Sequence, residues 1–368
     1  MGHYNLRLFG LDAKGDLIGS SSDSISLQFD PPGGIDHLEL SAVAGSVATN
    51  PPTNVAVIGT GFLTFERGHL HLIDLARRTL IDRVAINSSV ADVCVVPETN
   101  TAIIASPTTD PRGAIVAVDL STRQVTRAFT FSNLRPQRVV CDPMRNQVVI
   151  LGHPSSSGQG GGVAVLDLNA WRVTATFDFP VSFVITERDG GIALNPWTNT
   201  AYVLGNIVED GRPLGSRIFI LDLNTGLISE ALPIERRANR LAVNPNIHQA
   251  LVTLPAVFRE DEPIEPAALL TIDLKSRAVA AVVPLSRLDD PAGPSNITLD
   301  LQTNSAIVTD QTTHRVIIVD LTKQVVAYSV RIPLFTSNAQ SVAFNPITRT
   351  IVATGNFVSM FRAPYTPP

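Results

Sequence analysis

The chain has 368 residues, of which 44% are hydrophobic and 17% charged, so it carries the apolar material for a substantial core. Its net charge of −5 argues against nucleic acid as a partner, because phosphate binding wants a basic face. No run of about eighteen apolar residues occurs, which predicts no membrane span. The start, Met1-Gly2-His3-Tyr4, shows no charged segment followed by an apolar one. Two expectations stay open: a protein that is not exported, or a chain that begins after a removed signal or an upstream domain.

The first elements lie in residues 4–29. Tyr4-Asn5-Leu6-Arg7-Leu8-Phe9 alternates as a strand does and runs into a turn near Lys14-Gly15, and Ser24–Phe29 alternates again. The pair resembles the last hairpin of a fibronectin type III-like module, but about 26 residues are too few for a whole sandwich of about 100. Residues 1–34 therefore form an expected accessory hairpin and linker, ending in Asp30-Pro31-Pro32-Gly33-Gly34.

From residue 35 the chain repeats one phrase seven times, close to V-A-x-N-P-x-T-N-x-A-x-V. Its anchors are Pro51, Pro97, Pro143, Pro196, Pro245, Leu301 and Pro346, at steps of 46, 46, 53, 49, 56 and 45 residues. A period of that size built from short β-rich runs marks a propeller blade. In the second unit the expected strands are Asp92–Val96, Thr101–Ala105, Ala114–Asp119 and Gln124–Phe131. Pro and Asn suit the first turn, since Pro presets φ and Asn tolerates the left-handed region. A second mark, hydrophobic-Asp-Leu, ends the third strand at Asp74, Asp119, Asp167, Asp222, Asp273 and Asp320. Each Asp is expected to cap the following turn.

Seven copies of the first phrase meet six of the second. After Pro346 come only Thr350–Thr354 and Val358–Arg362, and the missing fourth strand is supplied by Ile35–Leu40. The expectation is an all-β chain: a seven-bladed β-propeller of four-stranded antiparallel blades over residues 35–362, closed by one N-terminal plus three C-terminal strands. Residues 363–368 are a Pro-rich tail. The phrase Asn195-Pro196-Trp197-Thr198-Asn199-Thr200-Ala201-Tyr202-Val203 and the stretch Ile220–Gly226 resemble the YVTN-type β-propeller repeat. That resemblance implies a WD40-like ring and a place among surface-layer and cell-surface proteins, with lactonase-like hydrolases on similar rings.

Cys94 lies three residues before its anchor and Cys141 two before. With a side-chain period of two, the offset puts them on opposite strand faces and predicts two buried free thiols.

Binding is expected on loops of one propeller face. The second-to-third loops at 59–68, 106–113, 152–161, 205–216 and 254–267 are long, whereas 310–313 and 355–357 are short. The residue five before each anchor should open an inner strand near the channel: Ser46, Asp92, Arg138, Gly191, Arg240, Asn296 and Ser341. Asp92, Arg138, Glu187, Arg240 and Asn296 are the candidate ligand-binding residues. The arginines suit a carboxylate or phosphate through bidentate hydrogen bonds, and the acids suit either their neutralisation or general-base work. Arg135, Arg188, Arg236 and Arg237 lie in adjacent loops.

No catalytic residue, metal ligand set or cofactor is assigned. The seven histidines show no H-E-x-x-H spacing, His69 and His71 form at most a pair, and no G-x-S-x-G elbow or C-x-x-C motif occurs. The favoured expectation is a non-enzymatic binding or scaffold propeller. It would engage another protein or a neighbouring domain of the same polypeptide, in an extracytoplasmic setting (periplasmic, cell-surface or secreted). The alternative is a lactonase-like hydrolase acting on a small anionic substrate at the channel mouth.

Overall fold

The computed structural model describes residues 8–11, 17–21, 34–40, 42–61, 68–109, 112–154, 161–180, 182–185, 190–209, 212–260, 262–289, 292–332 and 341–364. Seven antiparallel blades stand around a central channel. Their inner strands are Ala44–Asn50, Asp92–Val96, Leu134–Asp142, Gly191–Asn195, Arg240–Asn244, Pro294–Asp300 and Val342–Asn345. Each inner strand neighbours the next, and the seventh returns to the first. The ring closes as the repeat count requires: Ile35–Glu39 pairs with Phe357–Arg362, His37 opposite Ser359, so an N-terminal strand completes the last blade. Closure leaves only the outer strands as edges.

The turns explain why these residues repeat. Asn54, Asn100, Asn146, Asn199, His248, Asn304 and Arg349 all sit at positive φ between the first and second strands. Asn is the side chain that tolerates this region best, which accounts for five of the seven. At the second mark, Asp74 accepts the N–H groups of Ala76 and Arg77, and Asp119 those of Ser121 and Thr122. Asp167, Asp222, Asp273 and Asp320 do the same in their blades. The repeated acids are turn caps.

The core lies in the seams, where the alternating side chains of each strand serve two neighbours. Leu70 and Leu72 of blade 1 pack against Val93, Ile104 and Val116 of blade 2. Cys94 and Val96 point the other way, into the seam with Val139, Cys141, Val148 and Ile150 of blade 3. Each fully buried aliphatic side chain stabilises the ring by roughly 1.5–3 kcal/mol.

Here the structure corrects the sequence reading. Cys94 and Cys141 form a disulfide, with Cα atoms 5.8 Å apart. The offset before Pro97 and Pro143 places them on opposite strand faces, which predicts separation. In a ring of stacked blades, the forward face of one blade meets the backward face of the next, so that offset brings them together.

Two further corrections concern loops. The second-to-third connection of blade 2 is largely strand, Thr101–Thr109 pairing with Arg112–Asp119, and in blade 4 Thr200–Glu209 pairs with Arg212–Asp222. Within residues 1–34 the observed hairpin joins Leu8–Leu11 to Leu17–Ser21. The stretch Ser24–Phe29 lies outside the described residues.

Candidate functional site

The residues five before each anchor occupy one tier of the channel wall. Ser46 pairs with Gly59, Asp92 with Ala105, Arg138 with Leu151, Gly191 with Leu204, Arg240 with Thr253 and Asn296 with Thr309. A register shift just before Ser46, Arg138 and Asn296 marks a β-bulge that re-aims the chain as it enters the channel.

In this tier Asp92 is the focus. Its carboxylate accepts the Val93 N–H at 3.0 Å and, across the seam, the Val139 N–H at 3.0 Å. Burial pushes its pKa above the usual carboxylate range, against the charge of Arg138, the two N–H groups and the charge of Arg240. Arg240 belongs to blade 5, so blades 2, 3 and 5 place one acid and two guanidinium groups within electrostatic reach of each other. The arginines also hold main chain. Arg138 donates to the Gln137 carbonyl at 2.9 Å, and Arg240 to the carbonyls of Gly190 and Asn239 at 3.0 Å each. Asn296 donates to Ser341 of blade 7 at 2.9 Å and accepts the Ile297 N–H. Glu187, with Arg188 and Asp189, lies outside the described residues.

A second tier rings the opposite mouth, at the residue before each anchor. Asn345 donates to Asn54, Asn50 to Asn100 and Asn244 to Asn304, each across a seam. Gln147 bridges Asp142 and Asn199, and Arg349 forms a 2.9 Å ion pair with Asp300. Among the described residues this tier shows no such link between blades 2 and 3 or between blades 4 and 5, and those two seams are tied by Asp92, Arg240 and the disulfide. The polar residues of the channel wall thus double as blade-to-blade connectors.

Among the described residues, blades 4 and 5 carry added elements on the upper face. A short extra strand, Phe183–Val184, pairs with blade 4, its Phe183 ring packed on Phe179 and Phe219. Gly205 makes room for it, since a Cβ there would meet that ring at 2.3 Å. In blade 5 the second-to-third connection is a separate hairpin, Val257–Arg259 with Glu262–Glu265. Arg236 clamps its base by donating to the carbonyls of Pro255 (2.6 Å) and Pro266 (3.1 Å) and by pairing with Glu265 at 3.0 Å. One guanidinium so fixes both ends of a projecting finger, which displays Phe258 (53% exposed) and Ile264 (43%). Arg236, one of the loop arginines beside the channel, is committed to these partners. Its geometry shows a carbonyl clamp, a use that becomes visible only once both hairpin ends are placed.

His69 and His71 share a strand face, with ring centroids 6.2 Å apart. His71 is buried, and neither ring nitrogen has a hydrogen-bond partner. Among the described residues no group of three or more His, Cys, Asp or Glu side chains is placed to hold a metal ion, and no helix is long and apolar enough to cross a membrane.

No protein-family model matches the chain, and no curated protein matches its sequence. A chain of the solved structure titled Kuenenia stuttgartiensis hydrazine synthase is similar in fold, with a TM-score of 0.71 and 15% identity. The match covers 89% of this chain and 98% of that one. At that identity the likeness is one of fold alone.

Proposed function

We propose that this chain is a non-enzymatic protein-binding propeller whose contact surface is built by the upper-face additions of blades 4 and 5. The observation that carries this reading is the Arg236 clamp. A finger held at both ends presents Phe258 and Ile264 to solvent at little ordering cost on binding. Exposed Leu214 stands on the neighbouring extension of blade 4, and exposed Leu288 follows blade 5. Apolar anchors rimmed by Glu260, Glu262 and Glu265 suit a protein partner better than a small solute. The Cys94–Cys141 disulfide supports an extracytoplasmic setting, because such bonds persist in oxidising compartments. That setting agrees with the surface proteins among YVTN-type relatives. In this reading residues 35–362 are the binding ring and residues 1–34 an accessory hairpin and linker.

The hydrolase reading keeps one specific observation: the raised Asp92 carboxyl beside Arg138 and Arg240, the arrangement a general base with an anion grip would need. One experiment separates the two. A photo-crosslinking side chain is placed at Phe258 or, as control, at Leu80 on the outer strand of blade 1, in cells of the source organism. The binding reading expects one discrete adduct from position 258 and none from position 80. Equal labelling at both positions, together with turnover of a lactone panel that Asp92→Asn abolishes, would replace it with the hydrolase.

A further inference from the structure

Ring closure depends on one strand. Among the described outer strands, Ile35–Glu39 alone is joined by no turn to the third strand of its own blade, Phe357–Arg362. The other six are tethered by short turns, so a frayed strand re-pairs at little entropic cost. The closing strand is held to blade 7 by its pairing alone. Histidines gather here. His37 lies on the closing strand, its Nδ1 3.1 Å from Ser359 Oγ, and His69 and His71 lie on the third strand of blade 1. His71 stands opposite Ile58 in the ladder and two residues before Ile73, so the three share one blade face. The apolar cluster on that face takes in Leu38 of the closing strand, Leu40 just after it, and Val358 and Met360 of blade 7. His71 therefore faces the closing seam, buried, with no hydrogen-bond partner on either ring nitrogen.

We infer that the closing strand is an acid-sensitive latch: protonation of His71 releases Ile35–Glu39 from Phe357–Arg362 and opens the outer half of the seam between blades 7 and 1. The surroundings of His71 offer an added proton no compensation. Arg83 stands opposite it on the next strand and His69 shares its face, and both charges oppose a cation there. From the blade 7 side, Asp36 is already paired with Arg78, Arg362 is a further cation, and the cluster residues are apolar. A charged imidazole is accommodated only where the seam has opened to water. Burial first, then the charges of His69 and Arg83, keeps His71 neutral until about pH 4, against an ordinary value of 6.5. Burial lowers the pKa of His37 in the same direction. The opened seam takes up the proton between those values, so opening is rare above about pH 6.5 and grows as the pH falls. The inner half of the seam has its own ties. Thr49 donates to the Phe344 carbonyl and Asn345 to Asn54, each at 2.9 Å, and neither bond involves a group that titrates in this range.

The test is hydrogen exchange of the full chain at pH 7 and pH 5, corrected for the intrinsic pH dependence of exchange. His71→Leu and His71→Gln are measured beside it, with circular dichroism at pH 7 checking that each folds. At pH 5 ordinary carboxylates remain charged, so the histidines dominate the comparison. The inference expects exchange in residues 35–39 and 357–362 of the native chain to quicken roughly twentyfold at pH 5. In either variant the same segments should quicken by less than about fivefold, the remainder left to His37. The outer strands Gln124–Thr130 and Ala278–Pro284 should change by less than about twofold in all three chains. A native closing strand no more acid-responsive than those two would overturn the inference, a comparison that stands even if neither variant folds. So would an equal response in native chain and variants, or protection lost in all blades together.

Discussion

Cys94 of blade 2 and Cys141 of blade 3 are bonded across a seam where Val96 stands at the lower-mouth position that holds Asn or Asp in the other six blades. The six are Asn50, Asp142, Asn195, Asn244, Asp300 and Asn345. Val96 cannot make the amide link that Asn50 makes to Asn100. Two residues upstream, the disulfide supplies a covalent one.

Reducing the disulfide, or substituting Cys94→Ser, is expected to destabilise the ring by about 2–4 kcal/mol, the range for a loop of this size. The two Cys lie 47 residues apart. The check is equilibrium unfolding in denaturant with and without reductant. A change below about 0.5 kcal/mol would show that apolar packing alone holds the seam.

Arg349 is expected to be the most costly lower-mouth residue to remove singly. It is 13% exposed and Asp300 3%, and their ion pair is accompanied by the Arg349 guanidinium lying 5.7 Å from the Phe344 ring. Arg349→Asn leaves a buried carboxylate without its cation and should cost about 3 kcal/mol. Adding Asp300→Asn recreates the amide pair of Asn244 and Asn304 and should recover most of that loss. A double-mutant cycle on the melting curves reads the coupling.

His71 makes stability depend on pH. Its imidazole is held neutral until about pH 4 by burial first, then by the charges of His69 and Arg83, whereas an ordinary histidine titrates near 6.5. Between those values the unfolded chain binds the extra proton. Stability is therefore full above about pH 6.5 and falls as pH drops toward 4. Comparing native chain and His71→Gln at pH 7 and 4.5 isolates the effect, because the carboxylates titrate alike in both. The native chain should lose about 2–3 kcal/mol more than the variant. Parallel losses would contradict a neutral buried ring.

Arg236→Ala should free the blade 5 finger without melting the ring. Two carbonyl hydrogen bonds, each contributing about 1 kcal/mol, hold its base. Their loss predicts roughly thirtyfold faster hydrogen exchange in residues 257–265, with blade-core amides unchanged. Slow exchange preserved in the finger would shift the credit to the Ala256–Ala292 backbone bond.

Much of this was legible in the sequence for a local reason. The left-handed turn residues recur because all seven blades share the first turn, and the Asp caps because six share the turn before the fourth strand; turn chemistry depends on residues adjacent in the chain. The second-unit strand Asp92–Val96, the strand Thr350–Thr354 and the one-plus-three closure were readable from alternation and from the unequal count of the two phrases. The ring itself follows from repetition: a blade buries both faces only against copies of itself.

What lay beyond the sequence were relations between blades. Whether Cys94 meets Cys141 depends on which faces the stacking opposes, a fact absent from either strand alone. Asp92 reads as a channel-mouth ligand from its register, and its bond to the Val139 N–H appears only when blade 3 is set beside blade 2. Arg236 finds two carbonyls 19 and 30 residues away because a hairpin returns to its starting point. Local propensity determined the strands, turns and period. The tertiary structure decided the partners, since hydrogen bonds and disulfides act over a few ångströms whatever the separation along the chain.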